Sequence, residues 1–141
     1  MKNKFGFSFL ELLVLIAILI ILLSGATVYL LKWIGLTKTR VVAEQLVSDL
    51  QWARGLALKY GSSRITFQET GYSIYAPKTD DVPKKSISLP DNITISNNSS
   101  SDITFFSNTL PNKSGTIIIT GFGKTYKIDI DINGEVKLEV S

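Results

Sequence analysis

Glu11 is the residue whose position most needs a chemical reason. It stands at the threshold of Leu12 to Leu31, a run of 20 residues without a charge. As a helix that run is long enough to cross a bilayer core of about 30 Å. A carboxylate at its edge is costly unless something neutralises it, and it usually marks a function. Upstream lie Gly6-Phe7-Ser8-Phe9-Leu10, with Lys2 and Lys4 before them. Positive charge ahead of an apolar run favours a cytoplasmic N-terminus. A cleaved secretory signal would use Ser24-Gly25-Ala26 as its small-residue site. Glu11 stands where the core of such a signal should begin, and Val28 to Leu31 prolongs the run past the cut. A plain anchor explains the length but leaves the acid without a role.

Other residues with possible chemistry are sparser. The chain has 141 residues with no histidine and no cysteine, so disulfides, the usual zinc sets and histidine-based triads are excluded. No spacing of the remaining groups suggests an enzyme, and no cofactor motif is present. Asp129-Ile-Asp131-Ile-Asn133-Gly134 matches the first half of a calcium loop. Position twelve of that pattern would be Val140, with Glu139 one residue early. The favoured reading is a strand with Ile128, Ile130 and Ile132 inward, Asp129 and Asp131 outward, and an Asn-Gly turn; no metal is expected. Net charge is +3, falling to +1 without Lys2 and Lys4, which gives little electrostatic case for nucleic acid. Lys113, Lys124, Lys127 and Lys137 are the weak candidates for such a surface.

These residues need elements to hold them. Val42, Leu46, Leu50, Ala53, Ala57 and Tyr60 recur at three- and four-residue spacing, which traces one helix face. Glu44, Gln45, Ser48, Asp49, Gln51 and Lys59 are expected off it. Gly61 suits the C-terminal cap. One helix from near Phe7 to near Tyr60 is predicted, about 80 Å long. Tyr29 and Trp33 would be interfacial anchors. Arg54 is expected on or beside the apolar face, with two readings, a bridge from helix to sheet or subunit through a carboxylate or carbonyl and a surface ion pair, and Trp52 at a core edge or subunit contact.

Eight strands follow, each short and bounded by turn residues: 64–68, 71–76, 87–89, 92–96, 103–106, 115–120, 125–132 and 136–140. Glu69-Thr70-Gly71 and Asn133-Gly134 are hairpin signals. Lys78 to Lys85 and Asn97 to Asp102 are polar loops. The expected class is α+β, a long N-terminal helix laid across an antiparallel sheet.

Gly6-Phe7-Ser8-Phe9-Leu10-Glu11 and the following apolar run resemble the class III signal of type IV pilins and pseudopilins. The resemblance implies cleavage by a prepilin peptidase between Gly6 and Phe7, N-methylation of Phe7, and retention of the helix. Residues 1–6 are then a leader, 7–31 a membrane and filament-core helix, 32–61 its amphipathic half, and 62–141 an extracytoplasmic β domain. Glu11 would pair with the new amine of a neighbouring subunit, because both charges are costly in an apolar surround unless matched. Leu12 to Leu31 lacks the bending proline of many major pilins, which would fall near Val28; Gly25 gives local freedom instead.

The rest of the chain is similar to the H-type pseudopilins, which include FimT-like minor pilins. Leu46, Leu50, Ala53-Arg54 and Ala57 with the Arg64-Ile-Thr-Phe strand carry that likeness. Ile87-Ser-Leu-Pro90, Ile103-Thr-Phe105 and Gly134-Glu-Val-Lys-Leu138 follow in the family's order. Ser107-Asn-Thr-Leu-Pro111 departs from its usual Pro-Asp-Gly-like turn. The implied role is a minor pseudopilin of a type II secretion system, placed in the inner membrane and then in a pseudopilus. Its partners would be other pseudopilins, the peptidase and methyltransferase, an inner-membrane assembly platform and lipid. The alternative is a FimT-like minor pilin serving pilus assembly or DNA uptake. Some such proteins carry a basic Gly-Arg-x-Arg element, but Gly134-Glu-Val-Lys137 replaces its first arginine with an acid.

Overall fold

In the computed structural model, residues 8–98 and 102–140 are described, without the side chains of 26–28. Lys2, Lys4, the leader 1–6, Gly6, Phe7 and the middle of the Asn97 to Asp102 loop lie outside the described residues, as does the side chain of Val28. The chain divides into two units, Met1–Ile34 and Gly35–Ser141. The fold is α+β, with a long helix packed on antiparallel sheets.

Helix α1 covers Phe9–Tyr60, 52 residues, and is unbroken at Gly25. It ends where Gly61 takes a φ of 82°, a left-handed turn that glycine adopts without Cβ strain. Within the second unit, Thr39, Ala43, Leu46, Leu50, Ala53 and Ala57 are fully buried. Their alternating four- and three-residue spacing makes one stripe. Three alanines on it let the backbone approach the sheets closely. Ala43 and Thr39 extend the stripe beyond the sequence reading, while Tyr60 is 40% exposed and does not belong to it.

The strands are β1 (Ser62–Gln68), β2 (Gly71–Tyr75), β3 (Lys85–Ser88), β4 (Ile93–Asn97), β5 (Ile103–Phe106), β6 (Gly115–Gly121), β7 (Lys124–Ile130) and β8 (Val136–Val140). They form two four-stranded sheets, ordered β3-β2-β1-β5 and β4-β6-β7-β8, with every pairing antiparallel. The antiparallel β domain expected from the sequence is thus divided between two sheets. The second sheet arises because β4 crosses over to pair with β6 instead of extending β3. Ile65, Ile74, Ile103 and Phe105 from the first sheet join Ile117, Ile119, Ile128 and Ile130 from the second in one core beneath α1.

Hairpin chemistry fixes the registers. Gln68 pairs with Gly71 across Glu69-Thr70. At the β7–β8 turn the Gly134 N–H donates to Asp131 O and the Asp131 N–H to Glu135 O. That turn ends β7 at Ile130, so Ile132 is 55% exposed and not the inward residue its alternation predicts. The Ser107 to Pro111 departure still makes a tight turn, with Thr109 at a φ of 64° and an isolated bridge from Phe105 to Pro111. At the β6–β7 turn Phe122 has a φ of 51°, and its ring lies over Gly35 so closely that a Cβ there would meet it at 2.4 Å.

Candidate assembly site

In the first unit every described side chain from Phe9 to Gly25 is exposed. The helix is apolar and long enough to cross a membrane, and none of its most apolar window is covered by the protein. An isolated row of leucines and isoleucines forgoes roughly 1.5–3 kcal/mol per fully buried side chain. Its cover must therefore be lipid or another chain. Glu11 lies in the first turn of α1, where a carboxylate also complements the helix dipole. The neighbouring Leu12 N–H donates to Ser8 O at 3.1 Å. Tyr29 and Trp33 are exposed toward the far end of the apolar run, at 80% and 65%. A Cβ at Gly25 would meet nothing within 4 Å, so no packing demands glycine there.

The second unit contains a buried carboxylate that the helix periodicity places on the wrong side. Asp49 is 3% exposed. It accepts from the Tyr72 hydroxyl at 2.7 Å, from Lys85 Nζ at 2.6 Å and from Gln45 Nε2 at 3.1 Å. Burial and the bond to Asp49 push the Tyr72 phenol well above its ordinary pKa. Lys85 also lies over the Trp52 ring, 5.9 Å from its centroid, and Trp52 is 41% exposed. With three donors committed, Asp49 acts as a structural tie between α1 and the first sheet, not as a free base.

Arg54 makes a second tie. Its Nε donates to Thr109 O at 3.1 Å, one terminal nitrogen to Gly134 O at 2.8 Å, and the other to Thr109 Oγ1 at 3.3 Å. Both carbonyls belong to residues with positive φ at turn tips, so one guanidinium pins two hairpins to the helix. A Cβ on Gly134 would come within 3.0 Å of Thr109 O and 3.2 Å of Arg54 Cζ. Close approach and the left-handed backbone both require glycine.

The sequence-selected lysines do not make one bare basic surface. Lys127 Nζ bridges Asp129 at 2.7 Å, and Lys137 Nζ reaches Glu135 at 3.4 Å. Lys124 sits exposed at the start of β7. Asp129 also accepts from Thr116 Oγ1 at 2.6 Å. The Lys127 ammonium and this hydroxyl hold its carboxyl below the usual range. Asp131 accepts from Asn133 Nδ2. A polar groove of about 470 Å³ runs past Asn98, Thr116, Asp129, Asp131 and Glu135. No cluster of three histidine, cysteine or acidic side chains placed to hold a metal occurs among the described residues.

No curated protein and no solved structure matches the chain. The family described as type II transport protein GspH matches residues 42–134, from the packed half of α1 through the turn that Arg54 pins. That span covers well over half of the sequence, and the chain therefore belongs to the GspH family of type II transport proteins.

Proposed function

We propose that this protein is a minor pseudopilin of a type II secretion system, held in the inner membrane by the first half of α1 until it enters a pseudopilus. The observation that carries this reading is the uncovered apolar stem beginning at Glu11, joined to a domain of the GspH family. A prepilin peptidase cuts between Gly6 and Phe7, and Phe7 is N-methylated. In the filament the stem leaves lipid and packs on the stems of other pseudopilins. Glu11 then faces the terminal amine of an adjoining subunit. The match fixes register more than it adds stability, since desolvating two charges offsets most of their attraction.

The domain's role in this scheme is mechanical. Its polar groups tie helix to sheet, and the secretion motor is supplied by other components of the assembly platform. A FimT-like role in DNA uptake draws less support, because Lys127 and Lys137 each face a carboxylate that repels phosphate. Substitution of the glutamate tests the proposal. Glu11→Ala should leave the protein in the membrane fraction but deplete it from sheared filaments and lower secretion. Normal incorporation and secretion would remove the role assigned to the carboxylate.

A further inference from the structure

The β6–β7 turn holds a phenylalanine where turn chemistry disfavours one. Gly121 pairs with Lys124, so Phe122 and Gly123 are the two turn residues. Their φ angles are 51° and 77°, the sign pattern of a type I′ hairpin. Asn, Asp or Gly normally fills the first of these positions. A bulky side chain there is strained, and such strain persists only where the surroundings or a function hold it.

Packing explains part of the choice. The Phe122 ring lies over Gly35, and a Cβ on Gly121 would meet Thr39 Oγ1 at 2.8 Å. The turn is thereby clamped to the start of α1 within the second unit. Phe122 nevertheless stays 38% exposed, beside an exposed Gly123 and Lys124. Lys124 has no ion pair among the described residues.

Sequence continuity identifies what lies beside this tip. The uncharged run ends at Leu31, four residues before Gly35. Four residues reach at most about 14 Å even when fully extended. Whatever path they take, a turn clamped to Gly35 stays close to the point where the run leaves hydrocarbon. The polar layer on each side of a bilayer core is about 5–8 Å deep. An exposed aromatic ring with a cationic neighbour suits that layer. Asp91 lies in the β3–β4 loop, whose Asn92 carbonyl abuts Gly121, and it offsets the charge of Lys124. The ring must therefore carry the contact more than the charge does.

We infer that the β6–β7 turn is a foot on the bilayer: while the stem spans it, the Phe122 ring enters the headgroup layer of that membrane and Lys124 meets its phosphates. The inference rests on the membrane-held state proposed above. The contact is given up when the stem leaves lipid for the filament.

The chain contains no cysteine, so one introduced thiol carries one nitroxide label. Full-length Lys124→Cys, Lys78→Cys and Leu19→Cys would each be labelled and reconstituted into vesicles of phosphatidylethanolamine and phosphatidylglycerol. Lys78 marks the other end of the domain. Its N–H donates to Ser62 Oγ just past the end of α1, and that end lies about 38 Å along the helix from Gly35. Collision with dissolved oxygen and with an aqueous nickel chelate reads the depth of each label. The Leu19 label should lie in hydrocarbon and the Lys78 label in water. The Lys124 label should show several-fold less nickel collision than the Lys78 label. Adding Phe122→Gly should return the Lys124 label to water, whereas Phe122→Tyr should keep it in place. A Lys124 label as open to nickel as the Lys78 label, unmoved by Phe122→Gly or released by Phe122→Tyr, would overturn the foot. With the Leu19 label still in hydrocarbon, the pseudopilin role would survive that result. A Leu19 label in water would overturn both.

Discussion

The apolar residues of α1 before and after Gly35 meet opposite fates within one continuous helix. From Phe9 to Gly25 they point in all directions and none is covered by the protein. From Thr39 to Ala57 a single stripe of Thr39, Ala43, Leu46, Leu50, Ala53 and Ala57 is fully buried, while Val41 and Trp52 on other faces stay exposed. The difference lies in sequence pattern, not in backbone conformation. A stripe with polar flanks and small residues selects a sheet of its own chain. An all-round apolar surface selects lipid or other stems. The same contrast holds for the acids. Asp49 is enclosed by three donors from its own chain. Glu11, exposed in its first turn, has its proposed match on another chain.

The largest break in this contrast comes from shortening a leucine on each side of it. Leu50→Ala opens a cavity in a fully buried site and should cost about 2–5 kcal/mol of domain stability. Leu19→Ala should change it by under about 0.5 kcal/mol. Denaturant unfolding of the detergent-solubilised full chain, followed by near-ultraviolet dichroism, compares the two. Equal losses would mean the stem is packed on the domain.

A somewhat smaller effect is expected where the carboxylate tie is removed. Asp49→Ala leaves the Tyr72 hydroxyl buried without its acceptor and should cost about 1–3 kcal/mol. Gly35→Ala should cost about 1–3 kcal/mol through overpacking against the Phe122 ring. Phe122→Gly, which also removes the strain of a φ of 51°, should recover most of that loss. A double-mutant cycle showing simple additivity would remove the proposed contact.

The smallest effect is in alkali. The Tyr72 phenol has a raised pKa in the folded chain, so its contribution is complete below about pH 10, where the unfolded phenol ionises. Above that pH the unfolded chain releases a proton that the folded chain keeps, and stability falls. Tyr72→Phe should flatten this decline in a pH series of unfolding curves. An unchanged slope would mean the phenol titrates normally.

Much of this architecture was legible in local pattern. The helix span, its glycine cap and all eight strands follow from periodicity, β-branched runs and turn residues. The division into two sheets was not legible, because it depends on β4 choosing β6 over a nearer strand. Periodicity places Asp49 off the apolar face. Its burial is set by Tyr72 and Lys85, 23 and 36 residues along the chain. The partners of Arg54 are likewise remote, 55 and 80 residues away, so its place beside the apolar face points to a bridge without naming the two carbonyls. Ile132 was misplaced because the turn begins at Asp131, one step before alternation would have carried it inward. In the candidate assembly site, Glu11 stands out in the sequence as an acid at the edge of an apolar run.

Intact-mass spectrometry of the protein purified from its native membrane tests the central claim most directly. The mature chain should lack Met1 to Gly6, begin at a singly methylated Phe7, and retain the whole apolar helix. A mature chain beginning after Ala26 would have discarded the stem, and with it any means of assembling as a pseudopilin.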